Sequence, residues 1–183
     1  DVEFIDLDGD NVISEGSGTV ADPGDKRIIG NTLPRYSYSF RLGADWNGID
    51  FSAFFQGVGK RNWYPTSYAY DFWGPYSFSS LSFIHKDFMD NVWSEENPNA
   101  YFPRPRGYAS YSGGALGVVN DRYLQNAAYL RLKNLTVGYT IPISKKIVNS
   151  LRVYFTAENL FYWSPLKKYS KTVDPEMIYA SSY

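Results

Sequence analysis

The stretch Tyr36-Ser37-Tyr38-Ser39-Phe40-Arg41-Leu42-Gly43-Ala44-Asp45-Trp46 puts its apolar side chains on even positions and Ser37, Ser39, Arg41, Gly43 and Asp45 on odd ones. Successive side chains of an extended chain point to opposite faces, so this pattern predicts a β-strand with one apolar and one polar face. Three further stretches repeat it. Ile49, Phe51, Ala53 and Phe55 oppose Asp50, Ser52 and Gln56, with Phe54 the exception. Leu135, Val137, Tyr139 and Ile141 oppose Asn134, Thr136, Gly138 and Thr140, and Leu151, Val153, Phe155, Ala157 and Phe161 oppose Arg152, Tyr154, Thr156 and Glu158. Each stretch is long enough to cross a bilayer as a tilted strand. Four such strands do not close on themselves, so a larger structure is expected around them.

Composition points the same way. The 17 Tyr, 12 Phe and 5 Trp amount to 19% of the chain, whereas aliphatic residues for a soluble core are few. Strands rich in aromatic residues suit a surface whose ends lie at membrane interfaces, where rings with one polar edge collect in girdles. A net charge of -1 leaves no electrostatic footprint for nucleic acid, which is not expected as a partner. No run of 18 apolar residues is present to make a transmembrane helix, and that says nothing against a barrel. The chain has no cysteine, and nothing in it points to an organic cofactor.

Between the strands, connections alternate in length. Asn47-Gly48 is a two-residue hairpin signal, and Pro142 to Ser150 is a second short turn. Residues 1–33, 61–128 and 163–183 are long and irregular. Short turns at one end and long loops at the other are the habit of outer-membrane barrels. Leu130 and Leu132 sit on even positions but the apolar set from Leu135 onward is odd, so a β-bulge is predicted around Lys133-Asn134. Within the second long segment, Leu81, Ile84, Phe88 and Val92 have helical spacing, which predicts one short amphipathic helix over roughly residues 80–93.

One stretch has the chemistry of a metal site. In Asp6-Leu7-Asp8-Gly9-Asp10-Asn11-Val12-Ile13, carboxylates at alternate positions and an Asn suited to left-handed backbone match the first half of a Ca²⁺ loop. Asp6, Asp8, Asp10 and the Val12 carbonyl are the candidate ligands. Ser17 stands where the usual bidentate acid would be, so Glu15, Asp22 and Asp25 are the candidates to complete the shell, with Asp25 preferred. The alternative is a solvated acidic turn. His85 is the only histidine and reads as a surface residue of the predicted helix, and Glu95 and Glu96 as helix-end charges, so catalysis is not expected. Trp63, Tyr64, Tyr70, Trp73 and Tyr76, with their neighbours Tyr68, Phe72 and Phe78, are candidates for ligand or partner contact, weighed against packing of a large loop. Arg41, Asp45, Asp50, Gln56, Arg152 and Glu158 fall on the polar faces and read as an interior network.

Several strings, in order, resemble the C-terminal region of SusC/RagA-type TonB-dependent outer-membrane transporters. They are Asp6-Leu7-Asp8-Gly9-Asp10, Gly24-Asp25-Lys26-Arg27-Ile28-Ile29-Gly30-Asn31, Pro34-Arg35-Tyr36-Ser37-Tyr38, Phe54-Phe55-Gln56-Gly57, Tyr129-Leu130-Arg131-Leu132-Lys133-Asn134-Leu135-Thr136-Val137-Gly138-Tyr139 and Glu158-Asn159-Leu160-Phe161. Ser39 departs from the glycine usual in the family. The resemblance implies a 22-stranded barrel with a plug, a SusD-type surface lipoprotein as lid, and import of glycans or peptides energised through TonB. The plug that contacts TonB is expected outside this chain.

The reading is therefore an all-β antiparallel transmembrane barrel segment. It would supply about four strands of the 22, with long extracellular loops and one short loop helix, in the bacterial outer membrane. Its hairpins are placed at 34–60 and 129–162, and its extracellular loops at 1–33, 61–128 and 163–183. The expected contacts are the rest of the barrel, membrane lipid and the lipoprotein lid. The rival is a soluble β-sandwich glycan-binding module with a structural calcium. A sandwich buries Tyr36, Phe40, Phe51, Val137 and Phe155 against a second sheet, whereas a barrel leaves them outside.

Overall fold

The computed structural model describes residues 3–77, 84–143 and 149–178. They fall into two compact units. One comprises Asp1–Gly30 with Tyr64–Leu124, the other Asn31–Trp63 with Gln125–Tyr183.

The second unit is built on four antiparallel strands, β1 (Ser37–Trp46), β2 (Ile49–Val58), β5 (Tyr129–Pro142) and β6 (Ser150–Trp163), paired in the order β1-β2-β5-β6. Asn47 and Gly48 both adopt positive φ, 49° and 84°, the backbone that a two-residue turn needs to match strand twist. Ile49 pairs with Tyr139 and Ile141 with Leu151, so the two predicted short connections lie at the same end of the sheet. A backbone bond from Thr140 N to Gly48 O, 2.7 Å, ties them together. Residues 144–148 of the second connection lie outside the described residues.

Register keeps the apolar residues on one face. Phe40 pairs with Phe55, Ala53 with Leu135 and Val137 with Phe155. The predicted bulge is present: Phe54 pairs with Asn134 but Phe55 with Leu132, which leaves Lys133 as the extra residue. The face is uncovered. Tyr36, Phe40, Phe51, Val137 and Phe155 are all exposed, Phe155 to 63%, where a sandwich would bury them.

On the polar face the Arg41 guanidinium lies 5.8 Å from the centre of the Phe54 ring, which shields the one apolar exception in β2. Arg152 donates through Nε and Nη2 to the two oxygens of Asp50, at 2.8 and 2.7 Å, a bidentate pair joining β2 to β6 across β5. It crosses above Gly138, where an added Cβ would meet the Asp50 carboxylate and lie 2.8 Å from Arg152 Nη2.

At the other end of this sheet a short ladder, β3 (Asn62–Trp63) with β4 (Gln125–Asn126), lies beside a small core of Ala127, Leu166 and Ile178 flanked by Trp63 and Val173. Buried Arg61 donates to carbonyls of Thr32, Pro175 and Ile178. Buried Arg131 pairs with Asp174 and lies 3.2 Å from Glu176, which also accepts from Lys133 at 2.9 Å. These contacts fix residues 164–178 against the strand ends.

The first unit holds a four-residue helix, α1 (Tyr70–Trp73), and otherwise irregular backbone. The helix predicted over residues 80–93 is corrected here. Residues 80–83 lie outside the described residues, and 84–93 contain turns, one 3₁₀ turn, Met89–Asn91, and a single β-bridge residue, Val92, paired with Phe102. Its spacing has another origin. Phe88 stacks on Phe102, ring centres 5.3 Å apart. Backbone bonds run from Trp93 N to Phe102 O and from Phe102 N to Asn91 O, while Ile84 stays exposed. Tertiary packing of two segments, rather than a helical face, buries Phe88 and Val92.

Gly138→Ala should destabilise the intact protein by about 1–3 kcal/mol, because the Asp50–Arg152 pair has to give way to the methyl group. Gly43→Ala should cost much less, since a Cβ there meets nothing nearer than Phe51 O at 3.6 Å. Denaturant unfolding of the two variants side by side checks this, and equal costs would remove the role assigned to Gly138.

Candidate functional site

The acidic turn is shaped by its own carboxylates. Gly9 and Asn11 take positive φ, 81° and 66°, so the chain reverses and its amides point inward. Asp6 accepts from Gly9 N at 2.5 Å and Asn11 N at 2.8 Å, Asp8 from Asp10 N at 3.1 Å, and Asp10 from Val12 N at 2.7 Å. Asp25 comes back from the far side of the loop, its two oxygens accepting from Leu7 N at 2.5 Å and Ser14 N at 2.7 Å.

The result is a convergence of three acids. Asp6, Asp8 and Asp25 each present an oxygen within 4.8 Å of the others. Two hard-oxygen ligands on one Ca²⁺, at about 2.3–2.6 Å each, are at most about 4.6–5.2 Å apart, so the spacing of this group is compatible with a hard divalent cation. Asp10 is not part of it. Its carboxylate is turned onto the Val12 amide instead.

Electrostatics separates the members. The Ser14 amide, then those of Leu7 and Asp8, hold the Asp25 carboxyl below the usual carboxylate range. Asp8 goes the other way. The Asp10 amide lowers it, but desolvation and the like charges of Asp10, Asp25 and Asp6 together lift it above its ordinary value.

The five aromatic candidates divide by burial. Tyr64, Trp73 and Tyr76 are enclosed in the loop's own packing, each exposed by 2% or less. Tyr64 Oη donates to carbonyls of Leu116 and Val118, Trp73 Nε1 to Pro65 and Tyr76 Oη to Pro103. Around them Phe102 stacks on Tyr76 and Tyr123, with centres 5.8 Å apart in both pairs. Burial pushes the Tyr76 and Tyr123 phenols up from their ordinary value. These rings form the unit's core rather than a contact surface. Tyr70 is half-buried, and Trp63, half-buried in the other unit, packs on its small core. Tyr68, edge-on to Tyr70, is exposed. His85, expected at the surface, is half-buried, with Nε2 3.8 Å from the Asp71 carboxylate.

The same part of the molecule contains a cavity that the sequence does not disclose. It has a volume of about 790 Å³ and lies between residues 3–29 and 93–123. At its margin Arg27 pairs with Asp121 at 2.7 Å and Lys26 with Glu15 at 3.1 Å.

No family model matches the chain. Two curated proteins of Formosa agariphila do. TonB-dependent receptor P26 is 25% identical over 177 residues, covering 95% of this chain, and TonB-dependent receptor P3 is 29% identical over 161 residues, covering 86%. Among solved structures, one described as the RagAB peptide transporter matches with a TM-score of 0.56 at 26% identity over 82% of the chain. The "closed-closed" state of the RagAB peptide importer matches with a TM-score of 0.53 at 27% identity over 75%. The chain is similar to TonB-dependent receptors in sequence and to the RagAB transporter in sequence and fold, as the SusC/RagA resemblance led one to expect. It spans 16% and 14% of the lengths of the two receptors. These relatives and structural neighbours are named as receptors, transporters or importers, and none of these names describes an enzyme.

The lowered pKa of Asp25 sets a pH window for the acidic turn. A depressed carboxylate stabilises the fold above its unfolded value and ceases to do so as pH falls through its folded value. Amide-exchange protection of Leu7 and Ser14 should therefore persist from neutral pH to about pH 4 and disappear in stronger acid. In Asp25→Asn it should be weak at every pH. Protection in that variant equal to wild type would show that the carboxylate does not hold the loop.

Proposed function

We propose that the chain supplies part of the wall and external loops of a SusC-type importer in the bacterial outer membrane. Its four strands would be a stretch of a large closed barrel, 22-stranded as the resemblance implies, with the apolar face toward lipid and the Asp50–Arg152 network toward the lumen. The segments 1–33, 61–128 and 163–183 would lie outside the cell. The assembled transporter would take up oligosaccharides or peptides beneath a SusD-type lipoprotein lid, energised by TonB through a plug elsewhere in the protein.

One observation carries this reading. The sheet has a broad uncovered apolar face, and its outer strands β1 and β6 each have one unpaired edge among the described residues. A soluble sheet would need cover for both, whereas neighbouring barrel strands pair the edges and lipid covers the face. Similarity to TonB-dependent receptors supports the same placement.

The test is uptake by intact cells. Labelled oligosaccharide or peptide should enter cells carrying the full-length protein and a working TonB, and should not enter when either is removed. Phe40→Arg, on the lipid side, should cost about 2–4 kcal/mol near mid-membrane and deplete the assembled protein, while Ser39→Arg on the lumen side should leave it in the membrane. Uptake indifferent to the protein, or equal effects of the two substitutions, would overturn the reading.

Within the same reading, Asp6, Asp8 and Asp25 hold a structural Ca²⁺, with the Val12 carbonyl completing the shell and Asp10 shaping the turn. Three converging carboxylates support it, since a cation relieves their repulsion. Ca²⁺ titration of the intact transporter should show a site that Asp8→Ala abolishes. Identical isotherms for wild type and variant would leave an ordinary solvated turn.

A further inference from the structure

We propose that Arg35 and Lys60, at the loop end of the sheet's apolar face, form a docking site for the phosphate-bearing headgroup of a membrane lipid. The site rests on the barrel-wall reading above and adds to it a chemical preference among lipids. Tyr36 and Trp46 mark the two ends of the apolar run along β1 and are 57% and 75% exposed. The ten residue steps between them, at about 3.3 Å each on a strand tilted by about 40°, rise about 25 Å, the height of the apolar band of a membrane barrel. Arg35 therefore lies just past the hydrocarbon, at the depth of the headgroups.

The backbone sets the two cations on neighbouring strands at one rim. Arg35 N donates to Lys60 O at 2.9 Å and Gly59 N to Tyr36 O at 2.8 Å, so the pairing of β1 with β2 continues past the strand ends. Both side chains are exposed, and neither forms an ion pair among the described residues. Arg61, Arg131 and Lys133, at the same end of the sheet, are by contrast engaged on carbonyls or on Asp174 and Glu176. Like charges opposite each other on adjacent strands repel, and an anion shared by the pair removes that cost.

Tyr36 decides from which side the anion approaches. The Arg35 guanidinium lies 5.7 Å from the centre of the Tyr36 ring, which belongs to the apolar face. Next to it on that face Tyr38 lies over Gly57, and its hydroxyl donates to Tyr129 O. Gly59 leaves room for both rings, since a Cβ there would meet Tyr36 Cβ at 3.4 Å and Tyr38 Cε1 at 3.7 Å. A guanidinium above a ring on the lipid side offers donors to a phosphate while the ring below it meets acyl chain. Choline and ethanolamine headgroups carry an ammonium of their own, so a lipid whose headgroup is phosphorylated and net negative gains more from this pair.

The experiment uses the full-length protein purified in detergent, with lipid A as the phosphorylated probe and dephosphorylated lipid A as its control, bound lipid being counted by native mass spectrometry. Arg35→Gln and Lys60→Gln should each weaken lipid A binding about fivefold, and Arg35→Lys should retain it. Lys86→Gln, at an exposed cation of the other unit, should leave it unchanged. Where Arg35→Gln fails to assemble, Lys60→Gln alone should show the loss. Equal binding of lipid A by wild type and the Gln variants would overturn the proposal. So would dephosphorylated lipid A binding wild type as tightly, which leaves only an apolar contact, or displacement of lipid A by inorganic phosphate at equal concentration, which marks a site for a free anion. The importer reading is judged separately: uptake that does not depend on the wild-type protein removes it, whereas unchanged lipid binding in the variants removes only the headgroup site.

Discussion

The two faces of the sheet depend on a change of phase at Lys133. Below it, Leu135, Val137 and Tyr139 pair with Ala53, Phe51 and Ile49, and above it Leu132 and Leu130 pair with Phe55 and Gly57. Without the extra residue, Leu130 and Leu132 would turn to the polar side and Arg131 to the apolar one, because a slip of one residue reverses every side chain beyond it. The bulge deepens toward β6, which uses three steps from Glu158 to Phe161 where β5 uses two, with Asn159 at a φ of 50° absorbing the excess. Arg131 thereby stays on the polar side, where Asp174 and Glu176 reach it. One inserted residue thus serves both the apolar wall and the anchoring of residues 164–178.

What could be read in advance was whatever depends on near neighbours. Parity along a strand, positive φ at Asn47-Gly48 and the phase change at Lys133 are properties of adjacent residues, so the sheet, its turn and its bulge were legible. Convergence of Asp6 and Asp8 with Asp25 was half legible: the repeat shows the turn, but the return of Asp25 depends on how the intervening loop closes. The helix was misread because Phe88 and Val92 answer to Phe102 and its neighbours, far along the chain, and their spacing is incidental. Likewise nothing local pairs Asp50 with Arg152 or Arg27 with Asp121; each needs the fold first.

The acidic turn shows how few backbone donors separate a comfortable carboxylate from an uncomfortable one. Asp25 has three amides turned toward it and stays readily ionised, whereas Asp8 has the Asp10 amide against three acidic neighbours. Asp8 is open to water and Asp25 is only half-buried, so neither effect is a large energy. The pattern still locates the strain. A cation entering this group would act most on Asp8, where the repulsion is least compensated, and least on Asp25, which the backbone already holds.

Aromatic residues do two unrelated jobs in this chain, and composition alone does not tell them apart. Tyr36, Tyr38 and Phe40 are between 41% and 57% exposed, while Phe72 and Trp73 are fully buried. Backbone regularity separates the two. In a strand, rings on alternate positions all leave by one face, and a sheet uncovered on that face must present them to something outside itself. In an irregular segment, rings have no common direction and satisfy one another, as the edge-to-face contact of Phe72 on Trp73 shows at 4.7 Å. The same side chains therefore build an outward wall where the backbone is periodic and an inward core where it is not. The ordered loop needs no further sheet to hold its shape, and its aliphatic residues are left free to line a cavity.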